Sequence, residues 1–188
     1  MTAVAAEYPE VALYQPTGTD LPNINVLISI DVETLLDDHR PSQKSDDPTW
    51  IGDSDKYISM HTRQGNVGGD QGGSELTVDM SLSDHIRWRE TTYSCNHDYS
   101  VLLYQYAPYD QDQGVISQPK CYVVQGLQIP LPSMNDPLHP TMQTVNDYFW
   151  EATALKKGEQ TYRFYFMVVD RTGKQLGYYK WDPHIVVQ

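Results

Sequence analysis

Short runs of β-branched and aromatic residues alternate along this chain with stretches rich in glycine, proline and aspartate. Residues 25–31, Asn-Val-Leu-Ile-Ser-Ile-Asp, form a compact β-branched run that predicts a central strand. At 75–80 the pattern alternates strictly, so Leu76, Val78 and Met80 turn inward while Thr77 and Asp79 face water. The same rule applies at 84–90. Ile86 and Trp88 point one way and Arg87 and Arg89 the other, which makes Trp88 a core residue and not an exposed platform. The four-residue link 81–84 predicts that these two strands form a meander. Residues 98–106 are apolar on both faces, as for a strand buried between two layers.

Further strands are predicted at 57–61, 122–124, 147–152, 161–169 and 176–181, with 185–187 as an edge or dimer strand. Residues 170–174 predict a hairpin turn in which Gly173 takes a positive φ. The glycine-rich stretch 65–73 reads as a hairpin connection, and Pro183 as the terminator of the strand before it. A short helix is expected at 32–36. Pro130, Pro132, Pro137 and Pro140 exclude a helix or a central strand from 126–140. Nine or ten short strands imply an all-β fold, an immunoglobulin-like antiparallel β-sandwich forming a single domain over residues 23–188. Residues 1–22, with Pro9, Pro16, Gly18 and Pro22 and no periodicity, read as a flexible N-terminal arm.

Composition narrows the function. The chain of 188 residues holds 14 Tyr and 4 Trp against 3 Phe, a bias that suits half-buried sheet faces and subunit interfaces. A net charge of −12, with no basic run, removes nucleic acid as a partner and disfavours an anionic membrane surface. No apolar stretch approaches the ~20 residues that span a bilayer. Residues 1–9 lack the basic and apolar regions of a secretory signal, so a cytoplasmic location is expected. Cys95 and Cys121 have no CxxC spacing and are expected as two semi-buried thiols, not a disulfide.

Catalytic signatures are missing: there is no GxSxG, HExxH, CxxC or Walker lysine, and the six histidines are scattered singly. No catalytic residue is assigned and the chain is read as a non-enzyme. Loop chemistry is the remaining candidate. Residues 37–56 carry six aspartates and Trp50, a length of loop that small domains keep for function. Trp50, Asp53 and Asp55 are the candidate ligand-binding residues, because sugars favour aromatic faces and carboxylates. Asp110 and Asp112 offer hard oxygen ligands and are the candidate calcium residues, although no EF-hand loop is completed and aspartates are also ordinary turn formers. No other cofactor is expected.

Three blocks occur together in order: residues 25–34 (Asn-Val-Leu-Ile-Ser-Ile-Asp-Val-Glu-Thr), residues 86–90 (Ile-Arg-Trp-Arg-Glu), and residues 168–173 (Val-Val-Asp-Arg-Thr-Gly) followed by 177–183 (Gly-Tyr-Tyr-Lys-Trp-Asp-Pro). With them the chain resembles the PixA/AidA inclusion-body protein family over about residues 24–187. The resemblance implies a bacterial, cytoplasmic, immunoglobulin-like sandwich, deposited in some members as crystalline inclusions and produced late in growth or under quorum-sensing control. It supplies no catalytic residues. The leader and the acidic, proline-containing stretch 105–119 depart from the family pattern. The function expected is self-association as a homodimer or larger oligomer, with a storage or accessory host-association role. Burial of tyrosine-rich sheet surface and pairing of the edge strand ending in Val187 would carry it. The alternative is a carbohydrate-binding, lectin-like module that uses calcium.

Overall fold

The computed structural model describes residues 10–15, 23–109 and 114–188. In chain order its elements are β1 (Val11–Leu13), β2 (Asn23–Ile30), α1 (Val32–Asp38), β3 (Thr49–Trp50), β4 (Ile58–His61), β5 (Val67–Gly69) and β6 (Thr77–Met80). There follow β7 (His85–Thr92), β8 (Tyr99–Pro108), β9 (Lys120–Leu131), β10 (Thr141–Thr153), β11 (Gly158–Asp170), β12 (Gln175–Trp181) and β13 (His184–Val187). The fold is all-β, as expected.

Two sheets pack on each other. One has the order β1-β9-β10-β7-β2-β4, the other β3-β12-β11-β13-β6-β5 with β8 on the second side of β11. Parallel pairing departs from the antiparallel expectation: β2 runs parallel to β7, β13 to β6, β12 to β3 and β1 to β9. Alternation fixes which face a residue takes but not the direction of its neighbour. The core is aromatic and crosses the layers. Trp88 of β7 lies 5.3 Å from Phe164 and donates its indole N–H to the Tyr162 hydroxyl at 2.9 Å. Trp150 of β10 packs 5.9 Å from Phe164 and donates to the Leu103 carbonyl at 3.2 Å. Both indoles therefore meet an acceptor in the facing sheet, and the buried Trp181 donates to the Ser74 carbonyl at 3.2 Å, which is what lets so polar an aromatic be fully enclosed.

Several local expectations hold. Leu76, Val78, Met80, Ile86 and Trp88 are buried. Gly173 takes φ +83 in the β11–β12 turn, where Asp170 accepts from the Thr172 and Lys174 amides. Asp31 caps α1 by accepting from the Thr34 amide, and Val32 and Leu35 anchor the helix.

Others are corrected. β6 and β7 are not a meander: residues 81–84 carry the chain from one sheet to the other, so both strands feed the same core from opposite sides. β8 has β11 as its ladder partner at the margin of its sheet. Only Val101, Leu103 and Tyr106 face the core, while Tyr104 lies outside against Tyr165 and Tyr178. β13 is no edge strand. It is paired on both sides, by β11 and β6, and Val187 is buried. Within the expected N-terminal arm, residues 11–13 are docked as β1 on β9, and residues 1–9 and 16–22 lie outside the described residues. Both cysteines are free, but Cys95 is exposed in a turn with φ +52 and only Cys121 is buried.

Candidate functional site

One part of the molecule stands apart from the packed body. β10 pairs with β7 only over residues 150–153, and β1 covers β9 only at 121–123. Beyond those limits β9 and β10 pair, among the described residues, with each other alone, out to Leu131 opposite Thr141. The register slips where Asn146 faces Gln125 and Gly126. Gly126 takes φ +73, and its amide donates to the Asn146 side chain at 3.3 Å. Such a bulge increases the local twist and re-aims the strands that follow it. The result is a two-stranded ribbon whose apolar residues meet no body: Leu127, Ile129 and Leu131 are 38%, 45% and 52% exposed, and Met134 and Leu138 at the tip 99% and 87%. The prolines of 126–140 do keep this segment out of a sheet interior, but β9 continues through Pro130, as a strand open at its edge tolerates.

At the ribbon's root β10 separates from β7, and Arg89 fills the fork. Its guanidinium donates to Asp147 Oδ1 at 2.7 and 2.9 Å and to Glu90 Oε1 at 2.8 Å, with the Tyr148 ring 4.1 Å beneath it. Beside it, Arg87 donates to Glu151 at 2.6 Å and to the Tyr14 hydroxyl at 3.0 Å, and stacks 4.4 Å from Phe149. Glu90 continues the inward phase of Ile86 and Trp88 and is buried, with Oε2 lacking any hydrogen-bond partner. Burial outweighs the neighbouring Arg89 charge and pushes its pKa up to about 7.

Inside the fork the sheets splay around an apolar cleft of about 480 Å³. Leu102 and Leu103 form one wall, and Val11, Cys121, Val123, Tyr148 and Trp150 the other. The Tyr148 hydroxyl is also buried without a partner. Burial, reinforced by the Glu90 charge, pushes the Cys121 thiol up to about 11, which leaves it protonated and unreactive near neutral pH.

The expected ligand loop is used differently. Asp55 accepts from the Ser74 amide and hydroxyl, both at 2.7 Å, and these bonds hold its carboxyl below the usual range, so it ties the loop to a buried serine. Asp53 bonds His39 at 3.0 Å and the Tyr57 hydroxyl at 3.2 Å, within a cluster completed by Asp38 and Lys56. Trp50 stands apart from both in function: 40% exposed, it shares Arg163 with Tyr109, the guanidinium lying 5.8 and 4.2 Å from the two rings. Asp53 and Asp55 thus each accept hydrogen bonds from within the protein, while Trp50 has its own contact with Arg163. Asp110 and Asp112 lie outside the described residues. Among the described residues no group of three or more His, Cys, Asp or Glu is placed to hold a metal ion, and no helix is long and apolar enough to cross a membrane.

Reading by residue type missed the ribbon and its root. The alternation of Leu127, Ile129 and Leu131 with Gln128 and Pro130 was available as a signal, and so was the inward parity of Glu90.

The described residues thus form two packed β-sheets that carry an apolar two-stranded ribbon. The sequence matches the PixA inclusion body protein family over residues 22–187, and the chain belongs to that family, which is not an enzyme family. The fold is similar to the crystal structure of a PixA inclusion body protein from Burkholderia cenocepacia J2315, with a TM-score of 0.76 at 18% identity, covering 93% of this chain and 100% of that one. The solution structure of Amebosin (TM-score 0.29, 11% identity, 66% of this chain and 93% of that one) is too dissimilar to bear on the fold. So is a cysteine protease inhibitor from Entamoeba histolytica (TM-score 0.27, 17% identity, 60% and 86%). No curated protein matches the chain significantly.

Proposed function

We propose that this PixA family protein is a non-enzymatic, cytoplasmic inclusion-body protein that acts through self-association, as a homodimer or larger oligomer, in storage or an accessory host-association role. Its sandwich is of the immunoglobulin-like kind. The ribbon carries the reading: a ladder of aliphatic side chains standing in water on two open strands is a surface that proteins normally cover. It takes the place of the Val187 edge, which is already paired. Light scattering over a dilution series tests the reading directly. A concentration-dependent mass supports it, and a monomer at every concentration removes it.

A carbohydrate-binding role is the second reading, favoured by the exposed Trp50 and Tyr109 rings that both approach Arg163. A glycan array run on calcium-loaded and chelated protein decides it: calcium-dependent binding supports the reading, and silence under both conditions removes it.

A further inference from the structure

The ribbon and the cleft share strands but not a face. Cys121, Val123, Tyr148 and Trp150, which line the cleft, are cross-strand partners on the inner face of β9 and β10. Tyr122 pairs with Phe149 on the opposite face, and past the bulge that face continues as Leu127 opposite Val145, Ile129 opposite Gln143 and Leu131 opposite Thr141. The cleft also begins at the ribbon's root, at Asn146 and Asp147, while the aliphatic ladder runs away from it for five residues, about 17 Å at ~3.3 Å per residue. A ribbon therefore cannot lay its aliphatic face into its own cleft without breaking the β9–β10 register. Another molecule's cleft is under no such constraint.

Charge favours a second copy as that other molecule. The chain carries −12 overall, so two bodies repel, yet residues 125–145 contain a single acidic residue, Asp136, which bonds His139 at 2.6 Å, and no lysine or arginine. A neutral arm reaching an apolar cleft avoids like-charge contact between the bodies. Extent agrees as well: ribbon residues 125–131 and 141–145 with the seven cleft-lining residues that are not already buried come to 19 per copy, close to the ~20–30 per side of a standard specific interface.

We propose that two copies exchange ribbons reciprocally, each seating Leu127, Ile129 and Leu131 in the cleft between β8 and β9 of the other. This rests on the self-association reading and specifies its surface. Because the contact is two-fold, each molecule supplies one arm and one cleft.

Complementation tests it. Ile129→Asp with Leu131→Asp disables the arm and leaves the cleft, and Val123→Asp disables the cleft and leaves the arm. Each variant alone is expected to associate roughly tenfold or more weakly than wild type. Their equimolar mixture is expected to recover a heterodimer, which retains one of the two arm-to-cleft contacts. Wild type that is monomeric throughout overturns self-association and this proposal together. If wild type associates but Val123→Asp associates equally well, or if the mixture recovers nothing, only the ribbon's seat is overturned. An apolar small molecule found in the cleft of associated wild-type protein by native mass spectrometry also overturns the seat.

Discussion

Replacing Glu90 with glutamine isolates a carboxyl that, among the described residues, this fold encloses without full satisfaction. Arg89 reaches Oε1 at 2.8 Å, but Oε2 has no partner and the side chain is removed from water, so desolvation dominates and the folded pKa rises from 4.5 to about 7. Between those values the unfolded chain has released the proton while the native state still holds it, so stability falls as pH rises. A rise from 4.5 to about 7 corresponds to a loss of about 3 kcal/mol, complete slightly above neutral pH. Glutamine mimics the protonated acid and cannot ionise. Glu90→Gln is therefore expected to lie within about 1 kcal/mol of wild type near pH 5 and to exceed it by about 3 kcal/mol at pH 8, roughly 6–12 °C in Tm for a chain of this size. Urea or thermal unfolding of both proteins from pH 5 to 8.5 measures the difference, in which all other titrations cancel. A wild-type-to-variant gap that stays constant across this range would refute the assignment of the buried charge to Glu90.

Other consequences concern single contacts. Gly177 takes φ +149, and a Cβ there would lie 2.5 Å from the Ser42 carbonyl and 2.6 Å from Pro41, so Gly177→Ala is expected to cost roughly 2–4 kcal/mol in urea unfolding. A loss below about 1 kcal/mol would show that residues 41–43 give way instead. A double-mutant cycle of Trp88→Phe and Tyr162→Phe should return a coupling of about 0.5–1.5 kcal/mol for the indole-to-hydroxyl bond, and a coupling of zero would mean that this bond contributes nothing net. Because the interface joins a neutral ribbon to an acidic body, raising salt from about 0.05 to 0.5 M should strengthen association by screening body repulsion, whereas an interface built on ion pairs would weaken.

What could be read from the residues was the face each strand shows. Parity placed Leu76, Val78, Met80, Ile86 and Trp88 in the core because a strand half-buried on one side imposes period two whatever its partners are. Pairing was less legible. The four residues 81–84 could equally turn a hairpin or step between layers, and the choice is made by where β13 and β10 lie, strands that enter the chain more than fifty residues later. The Val187 strand looked like an edge because it is short and follows Pro183, yet His184 and Val186 are half-buried on its second face and β6 closes its second side. In the loop at 37–56 the aspartates suggested a ligand, but Asp53 and Asp55 spend their oxygens on Tyr57, His39 and Ser74. A carboxylate's internal partner cannot be seen in its own sequence neighbourhood.

The ribbon was obscured for the opposite reason. Four prolines in 126–140 argue correctly against a central strand, and a segment barred from the sheet interior reads as a loop. A two-stranded ribbon is the remaining solution, since each strand needs only one neighbour and proline at an open edge interrupts nothing. Such a ribbon is marginal by itself in water. This one is anchored at its root by Arg89 between Asp147 and Glu90 and by Trp150 locked into the core. Of the devices by which exposed strands are ordinarily kept from pairing with others, its outer half carries proline, at Pro130, but no lysine, bulge or inward charge. Rigid anchoring at one end and exposed aliphatic side chains at the other are costly to keep in a free monomer. They become useful when the uncovered half is a contact surface, and the concentration at which it is covered then sets when the protein assembles.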